Sequence, residues 1–196
     1  MSATEQAAEY SAAERQQLLA LAHLSIRSAL AKTHLSMPAS TPHLEEKRGA
    51  FTTLHQFGEL RGCIGYIEAV APLYRTIQET ARSAAFHDPR FSPVTVDDLG
   101  ELRIEISVMS PLFPVEAAAV RPGIHGIVVS HHGRRGLLLP QVATEYGWGR
   151  EEFLDQCCRK AGVEMDAWRH GALLQAFTAE VFGENSPGES LRSLGQ

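Results

Sequence analysis

Two short stretches of the chain concentrate residue types that can do chemistry. The first is Gly58-Glu59-Leu60-Arg61-Gly62-Cys63-Ile64-Gly65, a cysteine set among glycines with an arginine just upstream. In an extended segment the side chains at i and i+2 share a face, so Arg61 and Cys63 are expected to point the same way. A guanidinium so placed favours thiolate over thiol, and the thiolate is the nucleophile. Gly62 and Gly65 lack the Cβ atoms that would hold a substrate or a second backbone at a distance. The same pattern also fits a half-buried strand whose cysteine packs as a small hydrophobe and whose glycines mark a bulge.

The second stretch is Phe86-His87-Asp88-Pro89-Arg90-Phe91, with a histidine, a carboxylate and an arginine between two aromatic rings. Asp88 precedes a proline and is pushed out of helical geometry, so the segment reads as a turn. Asp88 could bond nearby backbone amides and pair with Arg90, making a structural corner. Alternatively, Arg61 and Arg90 converge with Cys63 on one anion-binding cleft, because a guanidinium fork suits carboxylate or phosphate. On this functional reading Cys63 and Arg61 are catalytic, and Arg90, Asp88, Gly62 and Gly65 bind substrate. The general base stays open among His55, His87, Glu59 and Asp88. His131 and His132 are adjacent, are expected on opposite faces of a strand end, and lack a partner at ligand spacing, so neither a metal nor a cofactor is expected.

These residues need elements to position them. Ser11-Ala12-Ala13-Glu14 forms a capping-box pattern, and Leu19, Ala22, Ile26 and Leu30 recur at helical spacing, predicting a helix to about Lys32. Ser36 to Pro42 reads as a loop, with His43 an exposed loop residue just after it. Gly49–His55 and Leu60–Ile67 alternate as strands joined by a tight turn, which places Cys63 on the second strand of a hairpin. Pro72 opens a helix with Leu73, Ile77, Ala81, Ala84 and Ala85 on one stripe. Leu102–Val108 alternates as a strand with Arg103, Glu105 and Ser107 on its polar face, a possible cleft wall. Ile127–Ser130 and Leu137–Leu139 flank a turn at His131–Gly136. A further helix carries Phe153, Leu154, Cys157, Cys158 and Ala161 and stops at Gly162, so both of its cysteines read as packing residues. Trp168 is expected in a loop, and Phe177, Ala179 and Val181 alternate as one last strand. Hairpins beside helices imply an α+β protein with a largely antiparallel sheet.

At 196 residues the chain can build one full core, or one core plus a small lobe. The formal net charge of −5 argues against a general nucleic-acid binder. No apolar run approaches a bilayer span, no signal-like segment opens the chain, and three cysteines form no disulfide framework, so a cytoplasmic protein is expected.

Several of these stretches together resemble the AMMECR1 family, whose bacterial and archaeal members are called AmmeMemoRadiSam system protein A. The matching residues are Leu60–Gly65, Phe86–Phe91, Ile104–Val108 and Leu138-Leu139-Pro140-Gln141-Val142-Ala143, extended by Phe153-Leu154 and Cys158-Arg159-Lys160-Ala161-Gly162. The resemblance implies an AMMECR1 domain over 14–183, preceded by a flexible 1–13 and followed by a tail, 184–196, in which Leu191 and Leu194 could dock. It implies an α+β fold with a larger and a smaller lobe and a cleft between them. It also implies Memo-type and radical-SAM partner proteins, and a homodimer is a further possibility. The family's Arg-Gly-Cys falls on Arg61, Gly62 and Cys63, and its Asp-Pro-Arg on Asp88, Pro89 and Arg90. Two readings follow: an enzyme or enzyme subunit acting on an anionic small molecule, or a non-catalytic binding or assembly module for those partners.

Overall fold

The computed structural model describes residues 9–35 and 41–184. The expectations for Ser36–Ser40, for the first eight residues and for the tail with Leu191 and Leu194 fall outside the described residues. The chain runs through α1 (Ala12–Ala31), β1 (Ala50–Gln56), β2 (Glu59–Tyr66), α2 (Leu73–Phe86) and β3 (Leu102–Met109). It continues through β4 (Phe113–Pro114), β5 (Gly126–His131), β6 (Arg134–Leu138), α3 (Pro140–Tyr146) and α4 (Arg150–Ala161). It ends on β7 (Leu173–Phe177) and β8 (Ala179–Gly183). Mixed helices and antiparallel strand pairs make this an α+β protein, as the alternation of hairpins and helices predicts. Two compact units divide it: one holds the residues up to Val108 and those from Glu180, the other spans Met109–Ala179.

In the first unit the strand order is β2-β1-β3-β8, with β1 antiparallel to both β2 and β3. The capping box at Ser11 is present in full, and Lys32 closes α1 in the left-handed region with φ 52°. Tyr10, expected in a frayed end, is instead buried and stacks on His43 with ring centroids 4.5 Å apart. His43 is therefore half-buried rather than an exposed loop residue, and its Nδ1 lies 3.1 Å from Glu14 Oε1. The Ser11 amide, assisted by Thr41 and His43, holds the Glu14 carboxyl down at about 2. Helix α2 begins one residue after Pro72, which serves as the N-cap, and buries the predicted stripe of Leu73, Ile77, Ala81, Ala84 and Ala85. Its Thr80 hydroxyl meets Thr52 of β1 at 2.8 Å inside the core. Leu18 and Ile26 of α1 join Leu54, Ile104 and Phe182 in the same apolar cluster.

Ala81 is fully buried in that cluster. Replacing it with leucine inserts a branched side chain where close-packed atoms already stand, so a loss of about 1–3 kcal/mol is expected. Urea melts should show a lower midpoint with an unchanged slope, and an unshifted midpoint would mean the stripe does not face the core.

In the second unit the strand order is β4-β7-β5-β6. Phe153, Leu154, Cys157 and Cys158 of α4 are fully buried, as their spacing predicts, and Gly162 ends the helix in the left-handed region. Burial pushes the Cys157 thiol up to about 12 and the Cys158 thiol upward as well. The β5–β6 turn is tighter than expected: His132 and Gly133 alone take positive φ, and His131 already pairs with Arg134. That backbone brings the two histidine rings to 4.0 Å instead of sending them to opposite faces.

Several elements depart from the sequence reading. The short strand β4 is not expected from the sequence, and Trp168 lies in a 3-10 helix over Ala167–Arg169 rather than in a loop. The Pro140–Tyr146 segment, read only as a run leading to a helix, is itself a helix that opens on proline and ends at Gly147 with φ 66°. The expected last strand is two strands in different sheets. Thr178 breaks it: its C=O accepts from the Ser110 amide and its N–H donates to Ser110 Oγ.

Candidate functional site

The hairpin register decides what Cys63 faces. Gln56 pairs with Glu59 and His55 with Leu60, but Leu54 pairs with Gly62 and Thr53 with Cys63, so Arg61 has no residue opposite it. This one-residue bulge shifts the remainder of β2 by one position. Continued without it, the register would set Cys63 opposite the buried Thr52, on the face covered by the helices. With it, Gly62 turns toward α2 and Cys63 turns to the other face, half-buried, beside Thr53. The Thr53 hydroxyl donates to Cys63 Sγ at 3.3 Å. On β3, Glu105 stands opposite Thr53, so a thiol, a hydroxyl and a carboxylate occupy one row across three strands.

Strand β2 is an edge strand, and at Cys63 its free edge meets the Asp88–Arg90 turn. The Cys63 N–H donates to Asp88 Oδ2 at 2.9 Å, and Arg90 Nη2 donates to the Cys63 carbonyl at 3.4 Å. Asp88 is buried and also accepts from the Arg90 amide at 3.1 Å, from Nε at 3.0 Å and from Nη2 at 2.8 Å. The bidentate Arg90 guanidinium, helped by the two backbone amides, holds the Asp88 carboxyl well below the usual carboxylate range. Asp88, and to a lesser degree the Cys63 sulfur, in turn favour the charged guanidinium. Arg90 also lies over the Phe91 ring, 5.3 Å from its centroid. Its side chain is nevertheless 55% exposed, and its Nη1 has no partner among the described residues.

The structure does not add Arg61 to this pair. The bulged residue sends its guanidinium to the Ser92 carbonyl at 2.6 Å and the Pro93 carbonyl at 3.3 Å, with Asp98 at 3.6 Å. Arg61 thus braces the 88–93 segment along the edge of β2, and the period-2 argument for placing it beside Cys63 fails because alternation is broken at that residue. Gly62 and Gly65 change role as well. A Cβ on Gly62 would overlap the Ala84 carbonyl oxygen of α2, and one on Gly65 would overlap the Phe51 ring. Both glycines are packing positions, since the space they leave is filled by protein.

Of the four base candidates, Asp88 is saturated by donors, and Glu59 and His87 are exposed away from the row. His55 remains, half-buried on the Cys63 face two residues along β1 from Thr53. Glu105 joins it. Sequence reading placed Glu105 only on a polar strand face and missed Thr53, because their alignment with Cys63 depends on the bulge. Two concavities lie away from Cys63: one of about 580 Å³ around His131, His132 and Arg134, and one of about 540 Å³ over α2. Among the described residues no group of three or more His, Cys, Asp or Glu side chains could hold a metal ion. Nor is any described helix long and apolar enough to cross a membrane.

Comparison with known proteins places this geometry in context. The AMMECR1 family profile matches residues 19–182. A protein of Methanothermobacter thermautotrophicus is 40% identical over 182 residues, covering 88% of this chain and 95% of that protein. One from Methanopyrus kandleri is 42% identical over 158 residues, covering 75% and 76%. The crystal structure of the uncharacterized protein PH0010 from Pyrococcus horikoshii superposes with a TM-score of 0.74 at 36% identity, covering 87% of this chain and 91% of that one.

Proposed function

This chain belongs to the AMMECR1 family, and from that premise we propose an enzyme or enzyme subunit in which Cys63 is the nucleophile toward an anionic small molecule held by Arg90. One observation carries the reading. Arg90 is fixed by Asp88, by the Phe91 ring and by the Cys63 carbonyl, yet presents an open terminal nitrogen beside that cysteine. A guanidinium so pre-organised loses little freedom on binding a carboxylate or phosphate. Thr53 positions the sulfur, and Glu105 or His55 takes the proton. Arg61, Gly62 and Gly65 hold the strand, the turn and α2 together and leave the chemistry to Cys63 and Arg90. A Memo-type protein and a radical-SAM protein are the proposed partners, on the strength of the family resemblance. The Asp88–Arg90 turn, tied to the Cys63 backbone and braced at Ser92 and Pro93 by Arg61, supports a second reading, a module that only presents this edge to those partners.

The first test is selective alkylation. Iodoacetamide at neutral pH is expected to modify Cys63 in the native protein while Cys157 and Cys158, fully buried, stay unlabelled. Peptide mapping by mass spectrometry reads the outcome, and labelling of Cys157 or Cys158 ahead of Cys63 would remove the nucleophile from this account.

A further inference from the structure

The outer face of α2 carries an array that the Cys63 site does not use. Tyr74 and Arg75, then Gln78, then Arg82 follow one another at three- to four-residue spacing, so they line one stripe of the helix. They form the floor of a groove of about 540 Å³, with Tyr66 at the end of β2 and His34 after α1 among its walls. That volume lies within the range of small-molecule sites. Arg75 Nε donates to the Tyr74 hydroxyl at 3.2 Å, with its guanidinium carbon 5.9 Å from the Tyr74 ring centroid. Together they make a platform of ring and guanidinium on which a heteroaromatic base can stack. Arg82, two turns further on, has no ion-pair or hydrogen-bond partner among the described residues, although a folded acidic chain of net charge −5 has carboxylates to offer. Gln78 sits between the two and presents both a donor and an acceptor.

We propose that this groove binds a nucleoside phosphate, with the base on the Tyr74–Arg75 platform and the phosphates on Arg82. Arg75 and Arg82 are separated by about 10 Å along the helix, so one phosphate does not bridge them and the ligand needs two chemically different ends. Glu79 lies in the same groove. It repels a ligand charged along its whole length, such as a nucleic-acid strand, and accepts from sugar hydroxyls.

Calorimetric titration of the full chain with ADP, pyrophosphate, adenosine and a short single-stranded DNA tests the assignment. ADP is expected to bind at least tenfold more tightly than pyrophosphate or adenosine. Arg82→Gln should weaken ADP and pyrophosphate at least tenfold and leave adenosine unchanged. Tyr74→Ala should weaken ADP and adenosine and leave pyrophosphate unchanged. Arg82 is exposed, so its variant should melt as the parent does. No heat with millimolar ADP, equal ADP binding by Arg82→Gln, pyrophosphate binding as tight as ADP, or DNA binding tighter than ADP would each overturn the proposal.

Discussion

Replacing Asp88 with asparagine is expected to lower the stability of the protein by about 2–3 kcal/mol. The carboxylate is buried and accepts four hydrogen bonds, three from Arg90 and one from the Cys63 amide. An asparagine has one acceptor oxygen, and its amide would face donors. Hydrogen bonds to charged groups contribute about 1.5–3 kcal/mol each, and losing one side of a fully buried ion pair costs about 3–5 kcal/mol. The exposed side of Arg90 can rehydrate, which keeps the loss below that upper range. The pH dependence has a definite sign. The Asp88 carboxyl titrates lower in the folded protein than in the unfolded chain, so its contribution is complete above the ordinary carboxylate value near about 4. It is lost as pH falls below that value toward the lower folded one. Urea melts should therefore show the gap between wild type and Asp88→Asn constant from pH 7 to pH 5 and narrowing as pH falls below about 4. A gap independent of pH would mean that the carboxylate's charge is not what holds the turn.

The second large effect is expected at Gly62. An alanine Cβ there would overlap the Ala84 carbonyl oxygen and approach the Ala84 carbonyl carbon to 3.1 Å. The obstacle is helix backbone, and α2 is tied to the sheet at Thr52–Thr80 and through Leu73 and Ile77. A shift of the helix would open that core, so Gly62→Ala should cost about 3 kcal/mol, the upper end of ordinary overpacking. A chemical melt superimposable on wild type would show that the helix has room there, and Gly62 would return to the list of residues kept small for a ligand.

What could be read in the sequence was local. The capping box at Ser11, the apolar stripe of α2, the alternation of β3 and the stop at Gly162 each rest on neighbours within a few residues, and the structure reproduces them. The bulge at Arg61 did not announce itself. Two glycines hinted at an irregularity, but only pairing with β1 fixes where it falls. From that single shift follow the face Cys63 takes, the loss of Arg61 from its side, and the row with Thr53 and Glu105. Burial of Tyr10 against His43 and the division of the last strand at Thr178 likewise depend on residues far away in the chain. Asp88 and Arg90, by contrast, were legible as a pair. Proline fixes the turn, and the contact is only two residues long. What the turn could not reveal was that its other partner is the Cys63 backbone.

In the proposed mechanism Arg90 holds an anion next to the Cys63 sulfur. Iodoacetate and iodoacetamide offer the same electrophilic carbon with and without a negative charge, so the ratio of their rates at Cys63 reports the field that an incoming anion meets. Expressed as iodoacetate over iodoacetamide, that ratio should fall at least fivefold in Arg90→Gln, as Coulomb attraction of about 1 kcal/mol is removed. In Arg90→Lys, which keeps the charge and loses the fork, it should fall by less. A ratio unchanged by Arg90→Gln, in a variant that still labels at Cys63 alone, would contradict the account.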